Sequence, residues 1–389
     1  MTGLSSRRIR IDRLGALLGL AAIAAALWLP LLVYKASRIA LGDARSLVDA
    51  LPLSGSMALM ALLLAVTVIA ILSADARVRL LAALLGVLGV ACAIVVAADA
   101  LVPAGNRVVR IAPGAGFWLL LLMLTLLATD ALSRLRPGPG LRVLYLALAA
   151  GVVYLALSHS IFDNLSIMRE YAANASSFGR EARRHVLLAL GSVCAAVLAG
   201  LPIGILCHRV PRVRGAVLET LNLIQTIPSI ALFGVLMVPL GALATAVPFI
   251  GELGIHGIGA APAVIALFLY ALLPVVANTV VGLGRVSPQT VDAARGVGLT
   301  DRQILRQVEM PLALPVIVTG VRIVLVQSIG LVTVAALIGG GGLGTFVFQG
   351  VGQTAIDLVL LGAIPTVALA FASTVVLDAL VEVMNRTSP

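Results

Sequence analysis

Lysine is almost missing from this chain. Its 389 residues contain one, Lys35, and an alanine follows it. A phosphate-cradling loop of the form G-x-x-x-x-G-K-[ST] needs its lysine next to a serine or threonine, so ATP hydrolysis by that machinery is excluded. Charge of either sign is scarce too. Charged residues make up 11% of the chain, against roughly 25% in an average soluble domain. The three cysteines, Cys92, Cys194 and Cys207, lie in or beside apolar runs with no pairing pattern, which leaves core packing as their expected role. The histidines His159, His185, His208 and His256 fall in separate segments, so no metal cluster is expected. No nucleophile, base and orienting acid can be assembled at depth, and the chain is expected not to be an enzyme. Neither a removable signal peptide nor a soluble receptor domain is evident.

What is present is hydrocarbon: 61% of the residues are hydrophobic. Runs of about twenty apolar residues, each long enough to cross a ~30 Å hydrocarbon core as a helix, recur along the chain. They predict an all-α polytopic membrane bundle with ten spans, at 14–34, 57–74, 80–98, 115–132, 142–158, 186–207, 216–240, 260–281, 312–338 and 358–381. The net charge of +10 is scattered through short connections rather than gathered on one face. It therefore reads as a determinant of membrane sidedness, not as a nucleic-acid surface. With the N-terminus inside, 17 of the 27 cationic residues fall on inner segments, among them Arg7, Arg8, Arg10, Arg79, Arg134, Arg209 and Arg386. Nine fall outside, including Lys35, Arg107 and Arg184, and Arg322 lies within a span. Both termini are expected in the cytoplasm.

The chain divides into an N-terminal extension of five spans (1–158), a polar outer segment (159–184) and a second five-span domain (185–389). Around residues 167–184 the pattern suits an amphipathic interfacial helix. Asn174-Ala175-Ser176 is a formal glycosylation sequon of the kind that arises by chance. The informative residues lie in the second half.

Foremost among these is a polar segment, Ser287–Pro315, with Ser287-Pro288 as N-cap and first helical residue. Gly296 and Gly298 allow the chain to turn. Thr300 and Gln303 then form a capping box for a second, amphipathic helix, bracketed by Leu299 and Ile304 and expected to end at Pro311. Such a helix pair is suited to docking a partner on the cytoplasmic side.

Gly339–Gly344 contains a G-x-G-x-x-G match, but an apolar helix precedes it, so a tight outer turn or a close-approach gate is expected instead of a dinucleotide site. Several polar residues lie at depth: Asn222, Gln225 and Thr226 before Pro228, Asn278 and Thr279 after Pro274, and Gln327 and Ser328 with Arg322. They either line a translocation pathway or hydrogen-bond between helices, at less than ~2 kcal/mol per contact. Arg322 is expected to snorkel or to pair with Asp292 or Glu309. Gly200 and Gly204 read as a helix-packing face.

Asp292-Ala293-Ala294, Gly298, Val308, Met310 and Pro311 match the spacing of a known pattern: E-A-A, three residues, Gly, nine residues, Ile, any residue, Leu-Pro. Asp, Val and Met stand where the pattern has Glu, Ile and Leu. The segment resembles the cytoplasmic coupling loop (287–311) of bacterial ATP-binding-cassette importer permeases. Ile224–Ser229, Leu269–Pro274, Ile338–Gly344 and Gly362–Thr366 are similar to the osmoprotectant type, which carries glycine betaine, choline and relatives. The five extra N-terminal spans resemble only the longer Yeh-type betaine permeases.

The resemblance implies a MetI-like ABC permease fold over the C-terminal half. It implies that Asp292, Ala293, Ala294, Gly298, Thr300, Asp301, Ile304, Leu305, Val308 and Pro311 face the ATPase. It further implies two ATPase subunits holding ATP and magnesium, a second permease subunit, a periplasmic substrate-binding protein and an inner-membrane location. No cofactor is expected on this chain itself. Permeases for amino acids, phosphonates or sulfonates share the superfamily pattern. An ion-coupled secondary transporter would need mid-membrane carboxylates, whereas Asp99, Asp130, Glu219, Asp378 and Glu382 fall near predicted span ends. A non-transporting scaffold would give the polar residues at depth no purpose.

Overall fold

The computed structural model describes residues 12–387, apart from 39, 104, 107 and 253. Arg7, Arg8, Arg10 and Arg107, counted above for sidedness, lie outside the described residues, as does the side chain of Arg386. The chain folds as two compact units, Met1–Gly138 with Ala149–Ala172, and Pro139–Leu148 with Ala173–Pro389. Among the described residues nine helices are long and apolar enough to cross a membrane, and one further apolar helix is shorter. The protein is a helical, multi-pass membrane protein.

The shorter helix is α1 (Arg13–Trp28), where the sequence predicts a span to residue 34. Pro30 explains the difference: the residue before a proline is pushed out of the helical region, and Leu29 is extended. The chain then forms β1 (Leu32–Lys35), which pairs antiparallel with β2 (Asp43–Arg45) and with β3 (Arg110–Pro113) in the order β2-β1-β3. This small sheet is an addition to the expected all-helical architecture. The short α2 (Leu47–Ala50) leads into α3 (Leu53–Leu72), α4 (Ala76–Leu101) and α5 (Ala115–Leu135).

One continuous core joins these helices, with Leu63, Val90, Ile94, Leu120 and Leu124 at its centre. Without a hydrophobic drive between helices in lipid, close approach of small residues supplies the packing. A Cβ on Gly15 would lie 2.2 Å from the Ala70 carbonyl, and one on Gly19 would lie 2.6 Å from Thr67. At one end of the bundle four charges close a ring. Asp12 accepts from Arg79 at 2.7 Å and from Arg134 at 2.6 Å, and Asp130 lies 3.2 Å from Arg79 and 2.9 Å from Arg134. Arg79 is buried and Asp12 caps α1, so the ring ties the starts of α1 and α4 to the end of α5. The Arg79 guanidinium holds the Asp12 carboxyl well below the usual carboxylate range.

α6 (Pro139–Ser158) divides between the units, and no residue of its apolar window is buried. α7 (Ser166–Arg209) is a single 44-residue helix. It absorbs the segment expected to lie as a separate interfacial helix, because no proline interrupts it before Pro202. Its residues to Ala172 belong to the first unit.

The second unit continues with α8 (Pro211–Thr226), α9 (Ser229–Ala246), the short α10 (Pro248–Glu252) and α11 (Ala260–Gly284). The span expected at 216–240 is thus two helices. Ile227 precedes Pro228 and is extended, which breaks the run. Next come α12 (Pro288–Gly296), α13 (Asp301–Ile304), a π-helical turn (Leu305–Glu309) and α14 (Met310–Ala335). A short 3-10 turn, α15 (Gly344–Gly352) and α16 (Ile356–Thr387) complete the chain. The central core joins Leu188, Val193 and Ala196 of α7 to Leu267 and Val275 of α11 and to Val324 and Ile329 of α14. Of the cysteines expected in cores, Cys207 is buried, whereas Cys92 and Cys194 are exposed.

Candidate functional site

The polar segment folds through its local signals. Ser287 Oγ accepts from the Thr290 N–H at 3.2 Å, and Pro288 opens α12 as its first residue. Gly298 has φ +88°, a left-handed conformation that a β-branched side chain adopts only under strain. At the second helix Gln303 Oε1 accepts from the Thr300 N–H at 2.8 Å and from its hydroxyl at 2.9 Å. Arg295 bridges the two helices, 3.5 Å from Asp292 and 3.6 Å from Asp301. Ala294 and Ile304 are buried, Leu305 and Val308 are half-buried, and Asp292, Ala293, Gly298, Thr300, Asp301 and Pro311 are exposed. Val297 stands 78% exposed at the tip.

Pro311 does not end the second helix. The Met310 N–H donates five residues back to the Leu305 carbonyl, and this widened turn makes room for a proline ring that has no N–H of its own. From Asp301 to Ile338 the backbone is one continuous helical run. The second helix of the polar segment is therefore joined to a membrane helix without a break.

Glu309, on the π-turn, is buried and lies 2.5 Å from Arg209, the last residue of α7. Sequence reasoning named Arg209 for sidedness and Glu309 as a candidate partner of Arg322, but did not pair the two with each other. The only signal was an acid one turn after the apolar face of the amphipathic helix. Arg322 pairs with Asp378 of α16, not with Asp292 or Glu309.

The deep polar residues separate into two groups. Pro274 has no N–H for the carbonyl of Tyr270, four residues back, and Gln225 Nε2 donates to that carbonyl at 2.7 Å. In return the Tyr270 hydroxyl donates to the carbonyl of Ile227 at the break before Pro228. The two prolines thus create two acceptors, and two side chains satisfy them across the α8–α11 contact. Asn222, Thr226 and Pro228 are exposed on the same break. Asn278 and Thr279 instead return to their own helix, bonding the carbonyls of Pro274 at 2.8 Å and Val275 at 2.7 Å. Both sit where glycines admit them: a Cβ on Gly320 would lie 2.6 Å from Asn278, and one on Gly204 would lie 2.5 Å from Thr279. Gln327 is half-buried and Ser328 buried on α14. Tyr270 was legible in principle, since the residue four before a helical proline is the one that loses its bond.

At the opposite end of α14, the Gly339–Gly344 loop follows a helical turn, not a strand, and is docked on α7. The Gly342 N–H donates to Glu181 Oε2 at 2.7 Å, and the Leu343 N–H donates to His185 Nδ1 at 3.2 Å. Arg184 Nη2 donates to the Gly339 carbonyl at 3.4 Å. Among the described residues no group of three metal-ligating side chains occurs.

Two family models match the chain. Residues 12–168 match the N-terminal domain of the ABC transporter permease YehY, and residues 197–387 match the binding-protein-dependent transport system inner membrane component. The osmoprotectant import permease OsmW of Salmonella typhimurium is 44% identical over 187 residues, covering 48% of this chain and 82% of that protein. The glycine betaine/carnitine/choline permease OpuCD of Bacillus subtilis is 36% identical, over 51% of this chain and 81% of its own. A solved inward-facing methionine ABC transporter, MetNI, shares 22% identity over 53% of this chain and 95% of that chain, with a TM-score of 0.46. This chain belongs to the family of inner-membrane permease subunits of binding-protein-dependent ABC importers.

Proposed function

We propose that the importer to which this permease belongs carries glycine betaine or a related quaternary ammonium solute. Relatives that align over about half of this chain are named as permeases for osmoprotectants and for glycine betaine, carnitine and choline, and that is the support for the substrate class. The coupling segment carries the mechanism. Its two capped helices present Val297 and the Asp292–Arg295–Asp301 charges outward, and the second helix runs unbroken into α14. An ATPase subunit closing on ATP would displace this segment and swing the membrane helices between inward- and outward-open states. ATP and magnesium belong to that subunit, and this chain needs no cofactor and catalyses no reaction.

The working assembly contains two ATPase subunits, a second permease subunit and a periplasmic binding protein, all in the inner membrane. The binding protein selects the solute, since cation–π recognition of a quaternary ammonium needs an aromatic cage. Both termini lie in the cytoplasm. The break at Ile227–Pro228, with Asn222, Gln225 and Thr226 around it, lines the pathway with Asn278, Thr279, Gln327 and Ser328 behind it. Ion coupling is disfavoured because Asp99, Asp130, Asp378 and Glu382 each already hold a polar partner.

The deciding experiment reconstitutes the chain with its ATPase and binding protein and measures uptake of labelled glycine betaine. Gly298→Val and Ala294→Phe are expected to insert normally and to lose ATP-driven uptake. Normal uptake in both would sink the assignment of the coupling segment.

A further inference from the structure

Helix α7 is tied to the turn before α14 and to the loop after it, and shares the central core with α14 in between. At the coupling end the Glu309 carboxylate, 4% exposed, is held 2.5 Å from Arg209. A buried carboxylate is tolerated only with such a partner. Leu305 and Met310, together with Leu201 and Ile205 of α7, pack against one cluster formed by Leu283 of α11 and Ala313 and Ile317 of α14. At the far end Glu181 and His185 of α7 accept the N–H groups of Gly342 and Leu343 in the loop that follows α14. These two latches are about 40 Å apart along α7, at ~1.5 Å per helical residue.

Between the latches, α7, α11 and α14 share the central core. Pro202 is the one interior weakness of α7. Gly200 and Gly204 flank it and lie so close to Val275 and Thr279 that a Cβ would fall at 2.7 Å and 2.5 Å from them. α11 therefore splints α7 where the proline would otherwise let it bend.

We infer that α7, α11 and α14 move as one rigid frame, clasped by Arg209–Glu309 at the coupling end and by Glu181 and His185 at the glycine loop, so that displacement of the coupling segment is delivered to that loop. Arg209, Glu309 and Glu181 are positioning residues in this scheme. The inference rests on the ATP-driven import proposed above. Without the inner latch the coupling segment moves and α7 stays behind. Without the outer latch the frame moves and the loop stays behind.

The test uses the whole importer in proteoliposomes, with labelled glycine betaine as probe and ATP hydrolysis measured in parallel. Glu309→Gln, Arg209→Gln and Glu181→Gln are each expected to lower uptake about tenfold while hydrolysis stays within about twofold, a coupling loss of ordinary size for linked sites. Reversing the inner pair, with Arg209→Glu and Glu309→Arg together, should recover uptake. Hydrogen exchange at Gly342 and Leu343 should respond to ATP in the unaltered importer and not in Glu309→Gln. Uptake and hydrolysis falling by one common factor would overturn the inference, as would an unchanged ratio or an ATP response that survives Glu309→Gln. Absence of ATP-driven uptake in the unaltered importer would instead strike the functional reading itself.

Discussion

The two units treat backbone and charge in opposite ways. In the first unit α1, α3, α4 and α5 carry no interior proline and close around one continuous core. A four-membered ring of charges ties three of them at one end. In the second unit α7, α9, α11, α14 and α16 each carry an interior proline, at Pro202, Pro239, Pro274, Pro315 and Pro365. Its core is divided into separate clusters, and the charge pairs Arg209–Glu309 and Arg322–Asp378 are single links. A helical proline removes a hydrogen bond and permits a bend, and small separate cores slide more readily than one large one. The first unit is built to resist deformation. The second is divided into clusters that can shift around the frame of α7, α11 and α14, and it is the one that holds the capped polar segment.

The contrast can be broken most sharply at Arg79. Arg79→Met leaves Asp12 and Asp130 sharing Arg134 as their one cation and should destabilise the first unit by about 3 kcal/mol, the lower end of the range for breaking a buried pair, seen as a lower unfolding temperature in detergent. The ratio of hydrolysis to uptake should not change in the protein that survives. Uncoupling by this variant would erase the distinction between the units.

A smaller effect is expected at the proline breaks. Gln225→Ala leaves the Tyr270 carbonyl without its donor and should cost about 1–3 kcal/mol, with uptake reduced further than the stability loss explains. Pro274→Ala tests the reverse: it returns an N–H to that carbonyl, stabilises α11 by about 1 kcal/mol and leaves uptake unchanged, since α11 moves as part of a rigid frame. Slower uptake from this stiffened helix would show that α11 bends in transport and would contradict the frame.

The smallest effect is one of pH. Asp12 has a lowered folded pKa, so its contribution is complete above the unfolded carboxylate value of ~3.9 and is lost as pH falls below it. The part of the unfolding temperature that Asp12 supplies should therefore be constant from neutrality to about pH 5 and decline in stronger acid. Asp12→Asn should remove part of that decline and leave the neutral plateau lower.

Local features were the legible ones. The caps at Ser287 and Thr300 and the turn at Gly298 depend on residues within a few positions of one another, and the structure places them accordingly, whereas Ala294 and Ile304, expected to face a partner, are buried. Where sequence and structure part, a proline is usually involved. Pro30 and Pro228 cut runs that hydropathy alone carries through, because apolarity measures affinity for lipid and says nothing of φ. Pro311 was expected to stop a helix, and the π-turn before it carried the helix past. Partners were the least legible. Arg322 found Asp378, and Arg209 found Glu309, because a charge pairs with whatever the packing of other helices brings near it.

The sequence by itself determined that this is a multi-pass helical protein, where most of its spans lie, and that a capped polar segment interrupts them; the runs at 14–34 and 216–240 are the ones it misplaced. Those are consequences of the length of apolar runs and of short-range hydrogen bonding. Only the tertiary structure decided that Gln225 and Tyr270 repair each other's proline breaks, that Asp12, Arg79, Asp130 and Arg134 form one ring, and that α7 is tied to the turn before α14 and to the loop after it. Each of these joins residues far apart in the chain. A buried polar group must find a partner, but which one it finds is set by how the helices pack.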